Sequence, residues 1–260
     1  MTITGFTVAV PEPDHAAAWF RNLAGTRAAD LLHFRQALSD SETYTTMPRV
    51  IDAGCSHFCL RVTDINAASS YLREEGVAVL GRPMHIDSGP LTDFHWQYFR
   101  SPWGGYFEIQ QWAPGHPSEQ VSRLATHPDP DPTAAIPTVI DLDHVGFVVT
   151  DLSAAVAALE SIGGSHILGS VADAEQTFML EQFQVPAIDT LRMAMVRLGD
   201  INLELFQHDV TAIHGAPQRT KAPAPGATGH TAVSLSFPPP ESEAHTLDSL
   251  GLTVTVDIPV

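Results

Sequence analysis

The stretch that decides the fold is Leu142 to Gly164, LDHVGFVVTDLSAAVAALESIGG. It opens with β-branched residues typical of a strand, and a Thr-Asp-Leu turn follows in which Thr150 or Asp151 can cap a helix. Apolar residues at helical spacing come next, and the segment ends on two glycines. A β-α unit of this length cannot bury its own apolar faces, so the sequence predicts further copies of it.

Three further copies of this unit occur in the chain, at Ser56–Gly76, Gly229–Gly251 and Ile3–Gly25. At the position of His144 these copies carry, respectively, His57, His230 and Gly5. The three histidines are evenly spaced along the sequence, since 144 − 57 = 87 and 230 − 144 = 86. In the copy that contains His230, three prolines replace the helix cap. The repetition predicts an internally duplicated protein of four modules.

Two of the modules hold a complete β-α-β-β-β order, and the two at the ends are abbreviated. The predicted organisation is a first module pair at 1–113 with module 2 at 56–112, a proline-rich linker at 114–138, and a second pair at 139–260 with module 3 at 140–208 and module 4 at 228–260. Within module 1 a helix is expected from Asp30 to Ala37. The fold class is therefore predicted as α+β, with tandem modules forming curved mixed sheets around a metal-binding trough.

Composition excludes several classes of partner. The chain has 260 residues and a net charge of −17, and such a field repels nucleic acid and anionic membranes. No apolar run approaches the ~20 residues of a membrane span, and no signal peptide is visible. Cys55 and Cys59 are too few for a disulfide framework, so a cytoplasmic location is expected.

The first and last strands of the complete modules predict a metal-binding site. Each opens on a strand with a histidine, His57 or His144, and closes on an apolar strand with a glutamate, Glu108 or Glu204. A single such residue is explained by a structural histidine or a solvent-facing glutamate. A buried carboxylate is normally paired or bound to metal, and the two pairs in register predict a divalent transition metal, with Fe, Zn, Ni, Co and Mn left open.

The two complete modules resemble those of the vicinal oxygen chelate superfamily, which includes glyoxalase I, methylmalonyl-CoA epimerase, extradiol dioxygenases and bleomycin-resistance proteins. The resemblance rests on DHVGF with NLELF in module 3 and on SHFCLRVTDI with YFRSPWGGYFEI in module 2. It implies that the metal ligands are the first-strand histidine and last-strand acid of two paired modules. His57, Glu108, His144 and Glu204 match those positions, and Glu108 and Glu204 are then also the candidate catalytic bases.

The resemblance leaves the pairing of modules open. Module 1 has Gly5 in place of the ligand, and module 4 has His230 without a closing acid. Pairing module 2 with module 3 gives one complete site, which is the arrangement we expect, whereas pairing 1 with 2 and 3 with 4 leaves each site with three ligands at most. A site of His144, Glu204 and His230 would resemble a two-histidine, one-carboxylate iron centre.

The resemblance implies an enzyme acting on a small oxygenated substrate, by isomerase or lyase chemistry or as an Fe(II) dioxygenase. The alternative is a protein that sequesters a ligand without chemistry, as bleomycin-resistance proteins do. An aromatic substrate would fit a pocket lined by His95, Trp96, Tyr98 and Trp103. A homodimer is left open.

Overall fold

The computed structural model describes residues 2–38, 47, 49–88, 92–116, 124, 129–172, 179–184, 187–188, 191–208, 213–214, 221–224, 227–229, 231–236, 245–247 and 252–257. Module 1 consists of β1 (Thr2–Val10), α1 (Pro13–Ala29) and β2 (Leu32–Gln36). Module 2 consists of β3 (Gly54–Val62), α2 (Ile65–Glu74), β4 (Ala78–Val79), β5 (Met84–Ile86), β6 (Phe94–Arg100) and β7 (Tyr106–Gln111).

Module 3 contains β8 (Val139–Val148), α3 (Leu152–Ser161), β9 (Ser165–Ala172), a π-helix (Met179–Phe183), β10 (Ala187–Ile188), β11 (Leu191–Leu198) and β12 (Ile201–His208). Two residues, β13 (Ile213–His214), pair with β10. Module 4 contains β14 (Thr231–Ser236), β15 (His245–Leu247) and β16 (Leu252–Asp257). None of the described helices is long and apolar enough to cross a membrane.

The expected Asp caps are present in both complete modules. The Asp151 carboxylate accepts a hydrogen bond from the backbone N–H of Ala154, and Asp64 accepts from Asn66 and Ala67 in the same way. These bonds satisfy N–H groups that have no partner inside the helix. The Thr-Asp turns therefore mark the helix starts, as the sequence predicts.

The strands form two main mixed sheets with the same internal plan. The nine-stranded sheet runs β4-β6-β7-β3-β8-β12-β11-β9, with β5 beside β6, and the five-stranded sheet runs β15-β16-β14-β1-β2. In the first, β3 and β8 are antiparallel and join module 2 to module 3. In the second, β1 and β14 join module 1 to module 4 in the same way. The fold class is thus confirmed, while the predicted domain boundaries stay predictions.

Every residue of β3 and β8 is buried, because both faces of this central pair are covered. On one face, a single apolar core joins the two sheets and includes Phe6, Phe20 and Phe147. The opposite face carries a second apolar cluster and the functional side chains, and it is called the trough below.

Two expectations about the abbreviated modules were wrong. The helix expected at Asp30–Ala37 is the strand β2, which runs parallel to β1. Its Leu32 is buried and Phe34 is partly buried between exposed residues, which is the two-residue period of a strand. In module 4, residues 245–247 form a strand where a helix was expected, and residues 237–244 and 248–251 lie outside the described residues.

Candidate metal centre

Four side chains from modules 2 and 3 converge in the trough: His57, Glu108, His144 and Glu204. The Nε2 atom of His57 lies 3.1 Å from His144 Nε2, 3.0 Å from Glu108 Oε2 and 3.3 Å from Glu204 Oε2. His144 Nε2 lies 3.6 Å from the same Glu108 oxygen and 3.4 Å from the same Glu204 oxygen. The arrangement brings the complete modules together at one point, as the expected pairing of 2 with 3 requires.

Strand register explains the convergence. Cys59 of β3 is opposite both His144 of β8 and Glu108 of β7. Gly146 of β8 is opposite both His57 of β3 and Glu204 of β12. Each histidine therefore stands beside the strand of the other module, and the two outer strands supply the carboxylates from either side.

The mutual distances fit a shared metal ion. Ligand atoms at about 2.0–2.2 Å from one ion stand about 3.0 Å apart at a right angle and about 3.4 Å apart at a tetrahedral angle. The five measured distances span 3.0 to 3.6 Å. Two imidazoles and two carboxylates are also donors that first-row transition metals accept. The four side chains therefore form a cluster that could hold such an ion.

The electrostatics of the cluster agree with this donor set. Burial lowers the pKa of His57, but the Glu108 and Glu204 carboxylates outweigh burial and raise it. Burial likewise lowers the pKa of His144, but its neighbours, among them the Glu204 and Asp143 carboxylates, raise it well above its ordinary value. Burial raises the pKa of Glu204, but the two imidazoles outweigh this and bring it to about 2. A cation bound by these four side chains would replace the imidazolium protons as the partner of the carboxylates.

Cys59 lies behind the cluster rather than in it. A ligand atom of Cys59 lies within 4.8 Å of those of Asp143 and His144. Burial and the charge of Glu108 raise the pKa of the Cys59 thiol well above its ordinary value. Cys59 is paired with His144 across strands β3 and β8 and lies outside the four-residue cluster.

Aromatic and aliphatic side chains cover the trough on one side of the cluster. They are Val50, Ile51, Leu80, Tyr98, Tyr106, Val148, Phe183, Leu191, Met193 and Phe206. Phe183 belongs to the π-helix of module 3 and packs against Tyr98 and Phe206. Glu204 is the most exposed of the four cluster residues, with 13% of its side chain accessible against 5% for Glu108.

A buried side chain of the π-helix, Gln182, bonds it to the backbone of module 2. Its Oε1 accepts a hydrogen bond of 2.9 Å from the backbone N–H of Tyr98, and its Nε2 donates to the carbonyls of Leu80 and Arg82 at 2.9 and 3.0 Å. These groups lie between the short strands β4 and β5, where β6 has no continuous neighbour. The Gln182 amide therefore makes the backbone hydrogen bonds that a neighbouring strand would otherwise make. These bonds connect module 3 to module 2.

The five-stranded sheet does not repeat the ligand set. Its register counterparts of His57, Glu108, His144 and Glu204 are, respectively, Gly5, His33, Ala232 and Thr255. The exposed His33 ring lies over Gly5, since a β-carbon on Gly5 would stand 3.0 Å from it. The register therefore gives the position of His144 to Ala232, two residues after His230, to which the sequence comparison had assigned it. His230, which was also expected as a ligand, lies outside the described residues.

Two of the four aromatic candidates lie by the trough and two do not. The Tyr98 and Trp96 rings pack together, and Tyr98 contacts the His57 ring. Trp103 packs instead in the core against Trp19 and Phe34. His95 stacks on His85 at the surface of the β5–β6 hairpin.

Sequence reasoning missed four residues around the cluster: Arg61, Gln110, Asp143 and Gly146. Asp143 and Gly146 flank His144 within the motif DHVGF, so position in the motif was the available signal. Arg61 shares a strand face with His57, and Gln110 shares one with Glu108, by alternation along a strand. Their mutual contacts depend on strand register and could not be read from the chain.

Comparison with known proteins agrees with this architecture. Glyoxalase I from Zea mays superposes with a TM-score of 0.50 and 13% identity over 90% of this chain and 74% of that chain. A mutant form of the same protein superposes with a TM-score of 0.53, again at 13% identity, over 90% of this chain and 75% of that one. The resemblance to the vicinal oxygen chelate fold is thereby confirmed.

One curated protein is similar in sequence. The 2-epi-5-epi-valiolone epimerase of an Actinomyces species is 43% identical over 79 residues, which are 30% of this chain. The similar stretch spans 43% of the epimerase, less than half of its length. No protein-family model matches the chain.

Proposed function

We propose that this chain, which has the vicinal oxygen chelate fold, is a metal-dependent isomerase or lyase that acts on a small oxygenated substrate by proton transfer. The observation that carries the proposal is the cluster of His57, Glu108, His144 and Glu204 in the trough. A bound divalent transition metal would supply a Lewis acid that polarises neighbouring oxygens of the substrate. The four side chains would hold it.

The two carboxylates give the site its proton-transfer capacity. A carboxylate within reach of a carbon beside a carbonyl can remove its proton, and a second can return a proton from another direction. Glu204 is the more exposed of the two, so we assign it as the carboxylate that would leave the metal and act as the base toward the substrate, with Glu108 as its partner. Removal and return on opposite faces would invert the carbon centre.

The number of ligands favours isomerase or lyase chemistry over a dioxygenase. Non-haem Fe(II) oxygenases hold their iron with two histidines and one carboxylate and keep the other positions open. Here a second carboxylate, Glu204, occupies a place that such chemistry would need. The similarity of 79 residues to an epimerase supports the same direction.

A ligand-sequestering protein is the second candidate. The apolar wall that includes Tyr98, Phe183 and Phe206 suits the apolar part of a ligand, aromatic rings included, and sequestration would need only that wall. It would not need two histidines and two glutamates buried together at a desolvation cost. We therefore favour the enzyme.

The test has two stages. First, the protein purified without chelator is analysed for metal and titrated with Mn²⁺, Fe²⁺, Co²⁺, Ni²⁺ and Zn²⁺. Second, the metal-loaded protein is incubated in D₂O with α-hydroxyketones, including cyclitol ketones, and proton NMR follows exchange at the carbon beside the carbonyl. We expect about one ion per chain and exchange that Glu204→Gln abolishes.

Two results would overturn the proposal. One is a wild-type protein that binds none of the five metals. The other is O₂ consumption with catechols on the Fe²⁺ form in the absence of any exchange, which would assign the dioxygenase reaction. Asp151→Asn, a change of charge at the exposed N-cap of α3, serves as the control.

A further inference from the structure

The two histidines of the cluster differ in what their outer ring nitrogens contact. Nδ1 of His57 faces neutral hydroxyls, the Ser56 Oγ at 3.0 Å and the Tyr98 oxygen at 3.5 Å. Nδ1 of His144 faces a carboxylate oxygen, Asp143 Oδ2, at 3.1 Å, and the Gln110 amide nitrogen lies farther away, at 3.5 Å. One imidazole thus has a charged acceptor behind it and the other does not.

Asp143 is itself fixed from two further directions. Its Oδ1 accepts a hydrogen bond of 2.9 Å from the Arg61 guanidinium, and its Oδ2 accepts one from the Gln110 amide. Arg61, Gln110 and Asp143 are all buried. Hydrogen bonds from three buried donors, on Arg61, Gln110 and His144, hold a carboxylate in one position. The Asp143 side chain is therefore fixed within the sheet.

We infer that Asp143 is the positioning residue of the metal centre, and that with Arg61 it makes His144 the stronger of the two histidine ligands. The inference rests on the proposed function, since it concerns how His144 meets a metal. An imidazole that binds through Nε2 carries its proton on Nδ1 and donates it outward. Donation to a held carboxylate fixes the ring plane and raises the basicity of Nε2, whereas donation to a hydroxyl does so less.

The expected loss of metal affinity can be estimated from other metal sites. Loss of an outer partner of a ligating histidine typically lowers metal affinity about 10- to 100-fold. For His144 we expect that range. For His57, whose second hydroxyl remains when the first is removed, we expect a loss of about threefold or less.

The variants must preserve the fold. Asp143→Leu alone would leave Arg61 buried without its partner, which is strongly destabilising. The double variant Asp143→Leu/Arg61→Met removes both charges together and keeps apolar bulk, a replacement that proteins often tolerate. Asp143→Asn/Arg61→Met keeps an uncharged acceptor for His144, and Ser56→Ala is the matched control on the side of His57.

The experiment measures Co²⁺ and Zn²⁺ affinity by chelator competition for wild type and the three variants, together with proton NMR of the Co²⁺ forms. Wild type should show two exchangeable, hyperfine-shifted imidazole N–H signals. In the Leu/Met variant we expect one of these signals to be lost to exchange and affinity to fall about 10- to 100-fold. The Asn/Met variant should recover part of the metal affinity and part of the lost N–H signal. The metal affinity of Ser56→Ala should stay within about threefold of that of wild type.

The outcomes separate the inference from the function it rests on. If wild type binds no metal, both are overturned. If wild type binds metal and the folded Leu/Met variant stays within about threefold of its affinity with both N–H signals intact, only the inference is overturned. A loss in Ser56→Ala equal to that in the Leu/Met variant would overturn it as well, because the two histidines would then be equivalent.

Discussion

Gly146 lies directly beneath the imidazole of His57, so closely that a β-carbon at position 146 would stand 2.1 Å from His57 Cε1. The two residues are paired across the antiparallel strands β3 and β8. The glycine of DHVGF thus makes room for a ligand that comes from another module. No backbone angle requires it, and its role is purely one of space.

Gly146→Ala should therefore displace the His57 ring and weaken metal binding. Overpacking of a buried site costs about 1–3 kcal/mol, which corresponds to roughly 10- to 100-fold in affinity if the ring yields rather than the strand. Metal titration of the folded variant is the measurement. Gly169→Ala in β9, where the nearest atom is a His166 ring atom at 3.2 Å, is the control and should bind as wild type does. Unchanged metal content in Gly146→Ala would contradict the assignment of His57.

Metal affinity should rise with pH. The pKa values of both His57 and His144 are raised in the metal-free protein, so each imidazole must lose a proton before Nε2 can bind an ion. Below those raised values protons compete with the metal, and affinity should fall with each pH unit until binding is lost. Calorimetry in buffers of different ionisation enthalpy counts the protons released. Binding without proton release at neutral pH would contradict this charge balance.

The contribution of His57 and His144 to the stability of the metal-free protein should fall as pH rises, whereas metal affinity should increase. A histidine with a raised folded pKa contributes stability that is fully present below the unfolded value of about 6.5 and is lost as pH rises through the folded value. His57 and His144 therefore stabilise the metal-free chain less in alkaline solution, and added metal should then restore stability. Thermal unfolding with and without Zn²⁺ from pH 6 to pH 9 measures this. A metal-induced rise in Tm that becomes smaller as pH increases would contradict this prediction.

Gln182→Ala should loosen the cover of the trough. It removes the acceptor of the Tyr98 N–H and the donor to two carbonyls, at a cost of about 1–3 kcal/mol. Hydrogen exchange at 179–184 and the rate at which a chelator strips the metal should both increase. Gln184→Ala is the matched control, because Gln184 is exposed and, among the described residues, its Oε1 accepts from partly buried Arg100 and from Tyr106 rather than from the backbone of β6. Equal stripping rates in the two variants would contradict a role for Gln182 in holding the cover.

The chain should bind one metal ion and not two. The five-stranded sheet has Gly5, His33, Ala232 and Thr255 at the register positions of the cluster, and of these only histidine is a common ligand for transition metals. His33→Ala should therefore leave stoichiometry and affinity unchanged. Metal analysis of that variant beside His144→Ala, which should lose the ion, is the measurement. A second equivalent that disappears with His33 would reveal a second site, with His230 as the first residue to examine.

The sequence by itself determined the modules and the four residues of the candidate cluster. The strand-turn-helix pattern of Leu142–Gly164 depends on local periodicity and on the Asp151 cap, so it could be recognised without partners. Its even repetition placed His57 and His144 on the equivalent first strands of two modules and Glu108 and Glu204 on the closing strands. The helix expected at Asp30–Ala37 failed because five residues at a sheet edge carry too little periodic signal, and pairing with β1 decided their conformation.

Only the tertiary structure decided which modules share a cluster and what surrounds it. The pairing of β3 with β8 joins residues that are 87 apart in the chain, and nothing local distinguishes it from the alternatives. The same pairing sets Asp143 between Arg61 and His144, and it places Gly146 under His57. These contacts follow from strand register, which burial on both faces fixes for the whole sheet at once. A sequence shows which side chains a strand presents, but only the assembled sheet sets which of them meet.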